Sequence, residues 1–501
     1  MINIKLNLKV IFLIAVGIGL SIRIFNLFIP IWGEEGFFTT HAVETLKTHH
    51  FSFELHPPLG QLFYVAAAFF FGSNYISFRL VPFIFSLITI LITFIFAKKM
   101  FNLRIAYIAV TLLLLSKLHI LSSTYIDLDG AILTTFNLLF MYFMWQSING
   151  DFHSFKKNFI FSNIFLIFST LTKITGGVVT LPVLIFSFFR NHKTLKITLI
   201  TVLIAIVFTY IGIIFVQTSI SHAASYLTFN LFQKLRFLLL VSWQISAPFS
   251  FLLLIVLLTK SKSHNELFLK LWVIVVFLFF FLFSSGGQPD RYISILLPPI
   301  FILLACYISR IKLEKYHLSL ILGIITIFPL LLLKIVDKIW MFSLFLTIIP
   351  YILPVFFFST LFFKKYKKFF IWALLFSGIF YNLYFAFFDI SRIYSITSAQ
   401  AIDYYLNNYK GEKIASNVIS ICFNLETYYN QSCYFSLGLS KGYDDAKTIV
   451  LINFYRPIED MLNKARYPLA EEMLKNINEN FILVKSFTFL DREYAWFFVK
   501  K

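Results

Sequence analysis

Residues 32–61 read WGEEGFFTTHAVETLKTHHFSFELHPPLGQ and follow directly on an apolar run that ends at Ile31. Adjacent acids, Glu34 and Glu35, open the stretch. Four His follow, the last of them in the run His56-Pro57-Pro58-Leu59-Gly60. Such polarity is out of keeping with a 501-residue chain that is 59% hydrophobic, 20% aromatic and only 13% charged. A soluble fold has no interior large enough for that much apolar surface. The composition therefore predicts a polytopic α-helical membrane protein. The acids and His sit where a first membrane helix should reach water. A site there suits a substrate that joins a polar group to a greasy one.

Working outward, the N-terminal side carries Lys5 and Lys9 and then an apolar run too long for a cleavable signal core, so it reads as a retained signal anchor. On the C-terminal side apolar runs recur. With about 20 residues needed to cross a bilayer, the predicted spans are 10–31, 79–97, 105–121, 132–146, 159–171, 178–189, 197–216, 237–258, 269–283, 293–308, 319–335, 339–363 and 369–388. Lys and Arg cluster between them, at Lys98-Lys99 with Arg104, Lys156-Lys157, Arg190 with Lys193 and Lys196, Lys260 with Lys262 and Lys270, Arg310 with Lys312 and Lys315, and Lys364 to Lys368. The net charge of +19 thus follows the positive-inside rule and excludes a nucleic-acid stripe.

Residues 59–76, LGQLFYVAAAFFFGSNYI, are the exception. Counting them as a span would put Lys98, Lys99 and Arg104 outside and invert every later connection. They are read instead as an interfacial or re-entrant helix. The expected result is about 13 transmembrane helices, N-terminus cytoplasmic, C-terminus extracytoplasmic, in the cell membrane.

On that map the outer connections carry the polar residues. The first, 32–78, holds Glu34, Glu35 and His56. The second holds Asp127 and Asp129 in SSTYIDLDG. The third is the break from Leu171 through Lys173 to Gly177. The fourth, 217–236, has His222, Lys234 and Arg236, and the fifth is SSGGQPDRY with Asp290, Arg291 and Tyr292. Charges at membrane depth are expensive and usually functional or paired. Arg79 opens a span, where it either snorkels or binds.

Residues 1–390 are therefore expected to form the membrane module and residues 391–501 a small extracytoplasmic α/β domain. In that tail 398–409 and 458–478 read as helices, and 413–415, 448–452, 481–490 and 494–500 as strands. Cys422 and Cys433 can pair in an oxidising compartment, and both free and bonded forms stay open. Cys306 reads as a small core hydrophobe.

No P-loop or HExxH occurs. No metal and no other cofactor is expected, although the acid pairs have the chemistry to hold a hard divalent cation.

The order of these elements resembles the GT-C fold glycosyltransferases that use polyprenyl-phosphate sugars, among them the protein O-mannosyltransferases and the aminoarabinose transferases of lipid A. The resemblance rests on Glu34-Glu35 after the first span, His56 to Leu59, Arg79 to Pro82 opening a span that ends in Lys98-Lys99, Asp129, Leu171 to Lys173, and Arg291-Tyr292 before Pro298-Pro299. It departs from the family pattern in carrying Glu34 where Asp is usual, Gly36-Phe37 where a basic residue is usual, and Tyr125 where an Arg is usual. The resemblance implies an inverting transfer of a sugar from a polyprenyl-phosphate donor to a glycan, lipid or protein acceptor on the outer side. Glu34 would be the base, with Glu35 as runner-up or structural partner. His56, Arg79, Asp129, Lys173, Arg291 and Tyr292 would bind substrate. The competing reading is a lipid-linked saccharide transporter or flippase, which would need polar residues deep in several spans. Few are present, and the one-sided polar clustering also argues against a membrane scaffold with a sensory domain.

Overall fold

The computed structural model describes residues 8–28, 31, 35–51, 56–150, 152–190, 192–215, 234, 237–238, 241–242, 245–283, 292–311, 367–387, 400–416, 419–435, 446–452, 477, 479–489 and 492–501. The expected spans 319–335 and 339–363, the expected helix 458–478 except residue 477, and Glu34, Arg291, Asp290, His222 and Arg236 lie outside them.

The chain is a multi-pass membrane protein. Among the described residues five helices are long and apolar enough to cross a bilayer: α1 (Leu8–Asn26), α4 (Tyr75–Met100), α7 (Ala131–Asn149), α10 (His192–Phe215, apolar over Thr194–Ile214) and α12 (His264–Phe283). Shorter or more polar helices complete the bundle. These are α5 (Leu103–Leu114), α6 (Lys117–Ser122), α8 (Phe152–Thr172), α9 (Thr180–Phe188), α11 (Ala247–Leu258), α13 (Leu297–Ile308) and α14 (Lys367–Phe387).

Burial orders them. The apolar window of α7 is 72% buried, against 22% for α1 and for α10. α7 is thus the axis of the bundle, and α1 and α10 are peripheral. Leu13, Ile14, Leu203, Ile206 and Ile214 project outward without cover. In water such a surface would drive aggregation, whereas in hydrocarbon it costs nothing. The core packs α4, α5, α7, α9, α12 and α13 around Phe96, Phe140, Phe186, Trp272 and Phe301. A buried Arg23 ties α1 inward by donating to the Gly19 and Leu114 carbonyls at 2.7 and 2.9 Å and pairing with His119 Nδ1 at 2.6 Å.

Between α1 and α4 lie two shorter helices, α2 (Glu35–Thr48) and α3 (Pro58–Phe71). Pro58 starts α3 because its missing N–H would have no helical acceptor there. The 14 residues of α3 cover about 21 Å, short of a hydrocarbon core of about 30 Å. Asn74 then caps α4 by accepting from Ser77 N at 3.0 Å.

Toward the C-terminus a five-stranded sheet runs in the order β2-β1-β3-β5-β4, with β1 (Ile414–Ser416), β2 (Cys433–Phe435), β3 (Thr448–Ile452), β4 (Phe481–Phe489) and β5 (Arg492–Lys500). β2, β1 and β3 are parallel, and β3, β5 and β4 antiparallel. Residues 400–408 are helical, as expected. The crossover helix α15 (Ile419–Tyr429) and the strand β2 are additions to the sequence reading. Three-residue strands carry too little alternation to be read from sequence. Alternate residues of β5 enter different clusters, Ala495 and Phe497 on one face and Phe498 on the other, so the sheet is covered on both sides. Cys422 and Cys433 form a disulfide, with Cα atoms 4.9 Å apart.

Candidate active site

The SSTYIDLDG segment, between α6 and α7, is the floor of the site, and two buried ion pairs meet on it. The first joins Arg79 to Glu35. Arg79 presents Nη1 and Nη2 to the two carboxylate oxygens of Glu35, each at 2.6 Å. The arginine side chain is 2% exposed and the glutamate 0%. Glu35 Oε1 also accepts from the Ile126 N–H at 3.0 Å, and Arg79 donates to the Thr124 carbonyl. The loop thus adds one backbone hydrogen bond to each partner, the kind of support that makes a buried charge pair tolerable.

The second pair lies at the far end of the same segment. Lys173 Nζ stands 2.6 Å from Asp129 Oδ2 and 2.5 Å from Oδ1. It also lies 4.6 Å from the centre of the Tyr292 ring, which itself stacks on Phe280. The lysine precedes a 3-10 turn, Ile174–Val179, that interrupts the path from α8 to α9. This break lets a charged side chain turn back into the bundle.

Local sequence explains the fit. Asp127 Oδ1 accepts from Gly130 N at 3.0 Å, turning the chain into α7. A Cβ on Gly130 would sit 2.9 Å from that same oxygen, so only glycine fits. A Cβ on Gly60 would lie 2.6 Å from Leu128 Cδ2. The glycine after His56-Pro57-Pro58-Leu59 is what allows α3 to press against the loop. Tyr64, one turn further along α3, donates its hydroxyl to the Asp127 carbonyl at 2.5 Å.

Of the residues singled out from sequence, Glu35, Arg79, Asp129, Lys173 and Tyr292 thus gather around one loop. His56 is half-buried, stacked on Phe38 at 6.1 Å between ring centres. Glu34 and Arg291 are outside the described residues. Tyr64, Thr124 and Ile126 are additions. The last two act through backbone atoms, which leave no mark in the sequence. Among the described residues no three His, Cys, Asp or Glu side chains come together as a metal site.

The fold is shared with proteins of known structure. ArnT from Cupriavidus metallidurans bound to undecaprenyl phosphate superposes with a TM-score of 0.62 over 97% of both chains at 14% identity. Its apo state gives 0.60 at 13% identity, again over 97% of each. The archaeal oligosaccharyltransferase AglB from Archaeoglobus fulgidus, in complex with an inhibitory peptide and a dolichol-phosphate, gives 0.52 at 12% identity, over 89% of this chain and 69% of that one. The fold is that of the GT-C glycosyltransferases. Residues 55–215 also match the family model for dolichyl-phosphate-mannose-protein mannosyltransferase. The matched segment runs from within the first connection through α10 and contains Arg79, Asp127, Asp129 and Lys173. No curated protein sequence matches the chain.

Proposed function

We propose that this chain is an inverting glycosyltransferase that moves a sugar from a polyprenyl-phosphate donor to an acceptor on the extracytoplasmic side of the cell membrane. The observation that carries the reading is the pair of buried ion bridges on one loop of a GT-C fold, Glu35–Arg79 and Asp129–Lys173. The undecaprenyl phosphate and dolichol-phosphate in the structures of similar fold support the choice of donor.

In this reading the acceptor hydroxyl gives its proton to the carboxylate of Glu34 as its oxygen attacks the anomeric carbon. The bond from that carbon to the phosphate oxygen breaks on the opposite face, and its electron pair leaves with polyprenyl phosphate. Geometry and the base supply part of the rate. Cations near a low-dielectric interface stabilise the departing phosphate. Lys173, steered by Asp129 and backed by the Tyr292 face, is suited to that work, with Arg291 and His56 beside it in the proposal. Arg79 is already engaged twice by Glu35, which supports Glu35 as the structural partner of the acid pair and leaves Glu34 as the base. The membrane module is assigned to residues 1–390 with its N-terminus cytoplasmic, and the extracytoplasmic α/β domain to 391–501. Lipid analysis of a deletion strain tests the reading. Accumulation of one polyprenyl-phosphate sugar together with loss of one glycan is the expected outcome, and an unchanged lipid-linked pool would overturn it.

A further inference from the structure

Two kinds of contact join α7 to α8. The first is aromatic. Phe136 lies 5.5 Å from Phe168 and 6.4 Å from Phe165, and Phe143 lies 5.7 Å from Phe165, ring centre to ring centre. The second is a single polar tie. Ser169 Oγ donates to Asn137 Oδ1 at 2.6 Å, and neither residue has any exposed surface.

Strength does not explain the tie. Asn137 Nδ2 has no hydrogen-bond partner among the described residues. Turning the carboxamide over only changes which of its atoms is left over, because the serine hydroxyl can donate or accept. A buried polar atom without a partner costs free energy that a leucine here would spare. The rings already hold the helices together. A side-chain hydrogen bond between membrane helices adds register, since apolar faces can slide where a donor and an acceptor cannot.

Ser169 is also where the break after α8 folds back. Its carbonyl accepts from the Lys173 N–H at 3.0 Å, and the Lys173 carbonyl accepts from the Gly176 N–H at 2.8 Å. Gly176 presses on the serine so closely that a Cβ there would stand 2.3 Å from Oγ and 2.5 Å from the carbonyl oxygen. The residue that Asn137 holds is thus the seat of Lys173, about one helical turn on. On the other helix Asn137 lies about 9 Å along the axis from Ala131, where α7 begins just after Asp129 and Gly130. A slip of α8 by one residue would swing Lys173 by roughly 100°, away from Asp129 and the Tyr292 ring.

We propose that Asn137 is a positioning residue for Lys173. Through Ser169 it sets the register of α8 against α7, and so where the Lys173 ammonium stands beside Asp129. This rests on the transferase reading, with Lys173 as a cation that meets the lipid phosphate. Displacement of such a group by about 1 Å can cost on the order of a hundredfold in rate.

The test uses the full chain in nanodiscs, with synthetic undecaprenyl-phosphate hexoses and pentoses as donors. Asn137→Leu removes the acceptor and the orphan N–H together, and Ser169 can then turn to a carbonyl of its own helix. Its unfolding midpoint should be unchanged or higher, while kcat falls roughly ten- to hundredfold and donor KM rises. Asn137→Gln, which keeps an acceptor oxygen, should recover part of kcat. In a Lys173→Ala background Asn137→Leu should change kcat by less than about twofold, because its effect runs through Lys173. Amide hydrogen exchange over 173–179 should quicken in Asn137→Leu and in Ser169→Ala, while 140–148 stays protected. Ser169→Ala carries every arm of the test if Asn137→Leu folds poorly. Wild-type kinetics in both variants would overturn the proposal, as would a loss of the same size with and without Lys173. Wild-type protein that neither transfers sugar nor binds undecaprenyl phosphate would sink the transferase reading. Exchange alone then decides the register tie: quickened exchange supports it and unchanged exchange overturns it.

Discussion

Arg79 holds both carboxylate oxygens of Glu35, 44 residues away in sequence, at 2.6 Å each. Neither side chain is open to solvent. Removing one partner of such a pair leaves an uncompensated buried charge, which costs about 3–5 kcal/mol. Arg79→Ala should therefore lower the unfolding midpoint in detergent steeply. The double variant Arg79→Met/Glu35→Gln, which removes both charges, should recover much of the loss. A double variant no more stable than Arg79→Ala would show that the pair is not what ties α2 to α4.

Gly60 tests the close approach of α3 to the loop. Its substituted Cβ would fall 2.6 Å from a Leu128 methyl, and Leu128 is buried. Overpacking of this kind costs about 1–3 kcal/mol. Gly60→Ala should destabilise by that order, and Leu128→Val on top of it should give part of it back. Thermal unfolding of the two proteins is the check, and additive losses would place the crowding elsewhere.

Membrane placement of α3 decides the orientation of everything after it. Single cysteines at positions 60 and 127 should react with an impermeant maleimide only once the site is opened from the extracytoplasmic side, and both on that side. A cysteine at the exposed Lys99 should stay unlabelled from outside in intact cells. Labelling of position 99 from outside would make α3 a full span and invert the topology.

Much of this was legible in the chain, and the rest was hidden for physical reasons. Helices α4, α7 and α10 follow apolar runs long enough to cross a bilayer, which makes them legible from transfer free energy, whereas the expected span 105–121 is divided between α5 and α6. Glu35, Arg79, Asp129 and Lys173 stood out because charge is scarce in such a sequence. Which charges pair was not legible. Asp127 and Asp129 look alike as residues, yet the first turns the backbone at Gly130 and the second binds Lys173. That difference depends on the register of a loop, as does the role of the Ile126 N–H. α15 was missed because its sequence, ISICFNLETYY, serves two cores at once and so shows no single apolar stripe.

Lys173 should reveal whether the second ion pair serves the lipid phosphate. Its Nζ is shared between Asp129 and the Tyr292 face. If it stabilises a phosphate whose charge grows as it leaves, Lys173→Ala should raise KM for the donor and lower kcat as well. Arg291→Ala should do the same, and Asp129→Asn should weaken donor use less. Kinetics unchanged in both Lys173→Ala and Arg291→Ala would remove them from the site.

The acid pair gives the most discriminating experiment, because its two members are adjacent and should fail in different ways. Glu34→Gln keeps shape and hydrogen bonding but cannot take a proton. Turnover should drop by about 10²–10⁴-fold, with stability and undecaprenyl phosphate binding unchanged. Glu34→Asp, shorter by one methylene and the residue usual in the family pattern, should keep part of the activity. Glu35→Gln removes the counter-charge of a fully buried Arg79. It should lower the unfolding midpoint and the yield of folded protein, while the folded fraction retains turnover well above that of Glu34→Gln. The measurements are transfer from a purified polyprenyl-phosphate sugar, donor binding, and thermal unfolding of the same preparations. Near-normal turnover by Glu34→Gln together with a dead but stable Glu35→Gln would exchange the two roles. It would require Glu35 to leave Arg79 before it can act as a base, since its two oxygens are both engaged in the folded protein.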